Sequence, residues 1–99
     1  MGEGDFPSLA SLASFLAADP DRRVVLVGHT DTVGSLERNI ELSRARAASV
    51  LERMVTLHGI DRTQLSAEGV GYLAPGASNE TEAGREANRR VEAVLLPAP

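Results

Sequence analysis

The apolar positions of this chain change their period several times, and each change marks an element. From Pro7 to Ala18, Leu9, Leu12, Ala13 and Leu16 recur at i, i+3, i+4 and i+7, the spacing of one helix face. Asp5 or Ser8 is its candidate N-cap. Asp19-Pro20-Asp21 ends the helix, because the residue before a proline is pushed out of the helical region. Arg22 to Gly28 then sets Val24, Val25, Leu26 and Val27 in succession. A short, mostly β-branched run of this kind predicts a strand buried on both faces.

A long helix is predicted from Leu36 to about His58, with Ser35 as N-cap and Glu37 complementing the dipole. At 100° per residue, Leu36, Ile40, Ala47, Val50, Leu51, Met54 and Leu57 form its buried stripe, while Glu37, Arg38, Glu41, Ala45 and Glu52 face away. Asn39 and Arg46 lie along one edge of the stripe, seven residues apart, or about two turns. Gly59 and Ile60 suit a C′ glycine and its apolar C″ partner. Gln64 to Gly69 predicts a short strand with Leu65 and Ala67 on one face. Gly71 to Gly84 has no period and reads as loop. Arg89 to Leu96 predicts a last strand with Val91, Ala93 and Leu95 on one side, stopped by Pro97-Ala98-Pro99. The expected order is helix, strand, helix, strand, loop, strand, in a single domain covering residues 1–99.

Composition narrows the chemistry. With Phe6, Phe15 and Tyr72 as the only aromatic residues, the core is built from aliphatic side chains. At this length folding buries roughly two-thirds of the unfolded surface, enough for a modest two-layer core. A formal charge of -4 and the lack of an aromatic platform argue against nucleic acid as partner. The absence of cysteine excludes disulfides and thiolate metal sites. Met1 to Asp5 is acidic and lacks the pattern of a signal peptide, and no run approaches the ~20 apolar residues of a membrane span. The expectation is a domain with no membrane insertion of its own, its export signal removed or carried by a larger parent.

Between the first strand and the long helix lies Gly28-His29-Thr30-Asp31-Thr32-Val33-Gly34, a polar loop bracketed by glycines. Asp31 has three readings: a loop aspartate bonding nearby amides, a partner of Arg46, or the acceptor of a ligand ammonium while Arg46 takes a carboxylate. On spacing alone the structural readings weigh more. His29, Asp31 and His58 do not match a metal-ligand frame, so neither a metal nor another cofactor is expected. A metal-assisted hydrolase built on His29 and Asp31 therefore has little behind it. Ser35 and Ser43 lack an elbow motif, and the glycine-bracketed loop lacks a phosphate-loop ending. Glu68, Glu80, Glu82 and Glu86 read as solvated loop charges. Arg85, Arg89 and Arg90 cluster near Asn88, either pairing with those glutamates or lending one arginine to the site.

The motif Gly28-His29-Thr30-Asp31, Gly34, Asn39, Leu42-Ser43, Arg46-Ala47 and Val50 continues through Gly59, Leu65, Gly69-Val70-Gly71, Pro75, Asn79 and Gly84-Arg85 to Asn88-Arg89-Arg90-Val91. In these residues, across about 9–96, the chain resembles the OmpA-like domain, a peptidoglycan-binding module. The resemblance implies an α+β fold, a two-layer sandwich of βαβαβ type with helices on one side of a mixed sheet. It implies a non-enzymatic, periplasmic domain that anchors an outer-membrane, lipoprotein or motor component to the wall. Asp31 and Arg46 would grip the diaminopimelate of the stem peptide, Asn39 would contact it and Arg89 would close the site. Two departures stand out. The family's first strand, which often holds a Phe, is missing or replaced by the segment ending at Phe6, and Val70 and Tyr72 stand where an aromatic and an acid are usual. A missing strand would leave an edge open to homodimerisation. The alternative function is thus a self-associating fragment that does not bind wall.

Overall fold

A computed structural model describes residues 8–96 of the chain. Helix α1 (Leu9–Ala17) is capped by Ser8, whose hydroxyl accepts the Ser11 N–H at 3.1 Å. Asp5, Pro7 and the segment ending at Phe6 lie outside the described residues. Leu12, Ala13 and Leu16 of α1 are buried. Its C-terminus is held by the buried Gln64, whose Nε2 donates to the carbonyls of Leu16, Asp19 and Arg22 at 2.9, 3.1 and 3.0 Å. The Leu16 and Asp19 carbonyls also accept the Asp19 and Arg22 N–H groups, so the Gln64 amide gathers the helix end and the turn after it around one side chain.

Helix α2 (Leu36–His58) starts at the Ser35 cap and stops at Gly59, which adopts the left-handed φ of 67°. The Ile60 N–H returns to the Met54 carbonyl at 3.1 Å, so the glycine stop read from the sequence is formed. The apolar stripe needs one correction. Met54 and Ala47 are fully buried, but Leu57 is 74% exposed. A helix of this length runs for about 35 Å, whereas five-residue strands run for about 17 Å. α2 is therefore longer than the strands it covers; Val55 in its last turn still packs on the core, while Leu57, on the Asn39 edge of the stripe, meets solvent.

The sheet contains β1 (Val24–Gly28), β2 (Leu65–Gly69) and β3 (Val91–Leu95) in the order β2-β1-β3. β1 runs parallel to β2 and antiparallel to β3, so the sheet is mixed, as expected. A 3-10 turn, Arg62–Gln64, leads into β2. Leu12 and Leu16 of α1, Ala47 and Met54 of α2, and Val24, Leu26 and Leu65 of the sheet share one core. β1 is central but not buried on both faces. Val24, Leu26 and Gly28 are buried, whereas Val25 and Val27 are only half-buried. Their register neighbours Ser66, Glu68, Glu92 and Val94 are all exposed, which leaves that face of the sheet to solvent.

One helix went unread. Residues 82–88 form α3 (Glu82–Asn88), so the loop ends earlier than expected and β3 begins at Val91 rather than Arg89. Glu82 and Glu86 are helical and Glu68 lies in β2, not in loops. Helix α3 has no apolar stripe to betray it. It is held by Thr81, whose hydroxyl accepts the Gly84 N–H at 3.0 Å, and by the fully buried Asn88. Asn88 accepts the N–H groups of Gly76 and Ala77, both at 2.9 Å, and donates to the Ala77 carbonyl and Asn79 Oδ1. A buried amide with all its bonds made holds the loop to the helix in place of a hydrophobic contact.

The two layers meet most closely where Gly28 pairs with Gly69 in the parallel register. A Cβ on Gly28 would lie 2.0 Å from the Ser43 carbonyl oxygen, and one on Gly69 would lie 2.4 Å from the Arg44 amide nitrogen. The backbone of α2 thus rests directly on two strand ends, and no larger residue fits there. Met54→Ala should cost about 2–5 kcal/mol in urea unfolding as a cavity in the core. Leu57→Ala should stay within about 0.5 kcal/mol. Gly28→Ala should cost about 1–3 kcal/mol by overpacking. Equal midpoint shifts for Met54 and Leu57 would contradict the solvent placement of Leu57.

Candidate functional site

The loop after β1 is fixed by backbone bonds on both sides. The His29 N–H donates to the Arg90 carbonyl at 2.7 Å and the Thr30 N–H to the Gly71 carbonyl at 2.8 Å. These bonds hold Asp31, which is 6% exposed, at the exit of the sheet. Its Oδ1 accepts the Val33 N–H at 3.0 Å and its Oδ2 accepts Arg89 Nη1 at 2.5 Å. The second nitrogen of Arg89 donates to Glu82 Oε1 at 2.9 Å, so one guanidinium joins α3 to the loop. The Val33 N–H, and then the Arg89 guanidinium, hold the Asp31 carboxyl below its usual range against the opposing effect of burial. Asn39 is buried one turn into α2, and its Nδ2 donates to the Val33 carbonyl at 2.8 Å, closing the loop over the helix N-terminus.

Arg46 lies further along α2, half-buried, and lines an open groove of about 380 Å³ with Arg53, Arg89, Arg90, Val50 and Val91. Among the described residues, no acidic side chain lines this groove. Arg46 and Arg53 make no hydrogen bond or ion pair among the described residues. Of the three readings of Asp31, the amide-bonding loop aspartate is formed and the direct pair with Arg46 is not, Arg89 taking that place. Arg46 and Arg89 share the groove, Arg89 touches Asp31, and Asn39 lines a separate hollow with Val33, Arg38 and Leu42.

The OmpA family model matches residues 6–89. The chain belongs to the OmpA family. It is 38% identical over 90 residues to the probable lipoprotein YiaD of Escherichia coli, covering 91% of this chain and 41% of that protein. It is 42% identical over 91 residues to the peptidoglycan-binding protein ArfA of Mycobacterium bovis, covering 92% of this chain and 28% of that one. The chain thus spans less than half the length of these relatives. Among solved structures, the peptidoglycan-associated lipoprotein from Burkholderia pseudomallei superposes with a TM-score of 0.81 at 31% identity, over 93% of this chain and 86% of that one.

Within this OmpA-family fold, the sequence set Asp31, Asn39 and Arg46 on one loop and one helix and offered Arg89 only through the family resemblance, and it did not pick out Arg53. The signal was present, since Arg53 follows Arg46 by seven residues on the same helix edge. His29 is buried beside Glu92, with its Nε2 3.6 Å from the carboxylate, and neither ring nitrogen makes a hydrogen bond of good geometry. Burial first, then the charge of Arg90, push the imidazole below its ordinary value, so it is neutral at pH 7. Among the described residues, no three His, Asp or Glu side chains gather as metal ligands.

The Asp31 carboxyl, lowered in the folded state, adds stability that is complete at neutral pH and is lost as pH falls through its folded value. Asp31→Asn should therefore be less stable than wild type at pH 7, with the gap closing below about pH 4. Urea unfolding across that range checks this, and a gap independent of pH would contradict it.

Proposed function

We propose that this chain is a non-catalytic wall-binding module that holds peptidoglycan through the diaminopimelate of its stem peptide and tethers an envelope or motor component in the periplasm. The observation that carries this reading is that Arg89, bonded to the buried carboxylate of Asp31, lines one groove with the partnerless Arg46. The end of a diaminopimelate side chain carries an ammonium and a carboxylate, and the two residues answer one charge each. Each Asp31 oxygen already accepts one bond, and a carboxylate oxygen has a second lone pair for an ammonium. Arg89 is held by Glu82 as well as Asp31, so it can turn toward the ligand carboxylate without losing its own counter-charge. Arg46 completes that carboxylate's partners with the planar fork suited to it. Asn39 acts by holding Val33 and hence the loop. A wall peptide with lysine in place of diaminopimelate would bring the ammonium but leave Arg46 unanswered, which gives selectivity. A relative named for peptidoglycan binding and a structural neighbour that is a peptidoglycan-associated lipoprotein support the reading.

Arg46→Ala and Asp31→Ala should each weaken co-sedimentation with diaminopimelate-type peptidoglycan by about 2–5 kcal/mol, the cost of stripping one partner from a charged hydrogen-bonded pair. Arg46→Ala should keep the wild-type circular dichroism, because its side chain holds nothing else in place. Co-sedimentation of both variants at the wild-type level would overturn the assignment.

A further inference from the structure

The arginine groove extends past the part that one diaminopimelate terminus would use. Leu42, Arg46, Ser49 and Arg53 recur at i, i+4, i+7 and i+11 along one edge of α2, so they form a continuous strip. Arg46 and Arg53 are separated by roughly 10 Å of helix rise. Two of the four guanidiniums in the groove are already answered: Arg89 by Asp31 and Glu82, and Arg90 by Glu92 at 2.6 Å. The other two, Arg46 and Arg53, are not. Two unpartnered guanidiniums that line one groove are open to a ligand that supplies anions. Two unanswered cations need two negative groups.

The surroundings limit what that ligand is. The whole chain carries a formal charge of -4, and four of its ten arginines line this groove, so the basic character here is local and not part of a strongly basic, polyanion-binding protein. The groove is small, about 380 Å³, and carries the apolar Val50 and Val91 among its arginines. A short peptide with two carboxylates fits these features better than a nucleic acid or a lipid surface.

We propose that Arg53, with Ser49 beside it, forms a second anion subsite that takes the free carboxylate of the acidic residue next to diaminopimelate in the stem peptide. This rests on the function proposed above. Through the γ-linkage and the diaminopimelate side chain, about eleven bonds separate the glutamate α-carboxylate from the far diaminopimelate carboxylate, a reach on the order of 10 Å that is comparable with the Arg46–Arg53 separation. Converting that carboxylate to an amide removes the charge and keeps the shape, so the subsite would distinguish amidated wall from unamidated wall.

The test is calorimetric titration of wild type and Arg53→Gln with three probes. These are free meso-diaminopimelate, the tripeptide L-Ala-γ-D-Glu-meso-diaminopimelate, and the same tripeptide with the glutamate α-carboxylate amidated. Wild type should bind the free-acid tripeptide about tenfold tighter than the amide, the scale of one charge-assisted contact. Arg53→Gln should lose that preference and still bind free diaminopimelate as wild type does. Equal affinity of wild type for acid and amide, with diaminopimelate bound, would overturn the second subsite and leave the proposed function standing. A preference that survives in Arg53→Gln would overturn the role of Arg53. No binding of any probe would overturn both readings.

Discussion

The contact on which the rest of the structure depends is the seating of α2 on the glycine pair Gly28 and Gly69. Here helix backbone meets strand backbone with no side chain between them. Ser43, at the point of contact, donates its hydroxyl to the Ile40 carbonyl at 2.9 Å and accepts the Gly71 N–H at 3.0 Å. Gly71 in turn accepts the Thr30 N–H. A chain of three bonds thus runs from the middle of α2 to the loop that carries Asp31. Asn39 lies four residues before Ser43 and Arg46 three residues after it, one helical turn to either side. The spacing of the polar residues is therefore set by the closest packing in the molecule, not by the loop's own flexibility. The glycines at 28, 69 and 71 are each required there, the first two by proximity and the third by its positive φ of 57°.

A second constraint is electrostatic. Asp31 is buried, and burying a carboxylate is costly unless it is hydrogen-bonded and paired. The Val33 amide and Arg89 meet that cost, and Glu82 stabilises Arg89 from the solvent side. The acid and its partner come from opposite ends of the chain. Their pairing ties the start of α2 to the end of α3, two parts of the molecule that share little apolar contact. α3 is a helix without an apolar face, and the Asn88 network and this charge pair are what dock it.

How much of this the sequence carries depends on what kind of force holds each part. Elements held by apolar burial announce themselves by period, so α1, β1, α2 and β2 lie within a residue or two of their expected bounds. The caps at Ser8 and Ser35 and the stop at Gly59 were legible because each is a local signal. α3 was not, because Glu-Ala-Gly-Arg-Glu-Ala-Asn has no stripe and its support comes from a loop up to twelve residues upstream. The Thr81 cap with Glu82 in the first turn was the one local cue. Partnerships across the fold were equally hidden: the helical spacing of Asn39 and Arg46 placed them near Asp31, but only the return of β3 beside β1 brings Arg89 against it. The exposure of Val25 and Val27 could not be read either, since it reflects Ser66, Glu68 and Glu92 on the neighbouring strands.

The distribution of satisfied and unsatisfied charge gives the site its direction. Arg89 and Arg90 are neutralised by acids of this chain, and moving either breaks a bond already made. Arg46 and Arg53 hold nothing in place, so a ligand that reaches them disrupts no internal contact. Their side chains do lose freedom on binding, a cost of order 1 kcal/mol each, but no existing salt bridge has to break first. On the reading proposed above, one carboxylate at Arg46 and a second at Arg53 would each add a contact without breaking one. Rigid support from α2 would then turn that spacing into discrimination, because the helix fixes the backbone separation of Arg46 and Arg53 and leaves only their side chains to adjust.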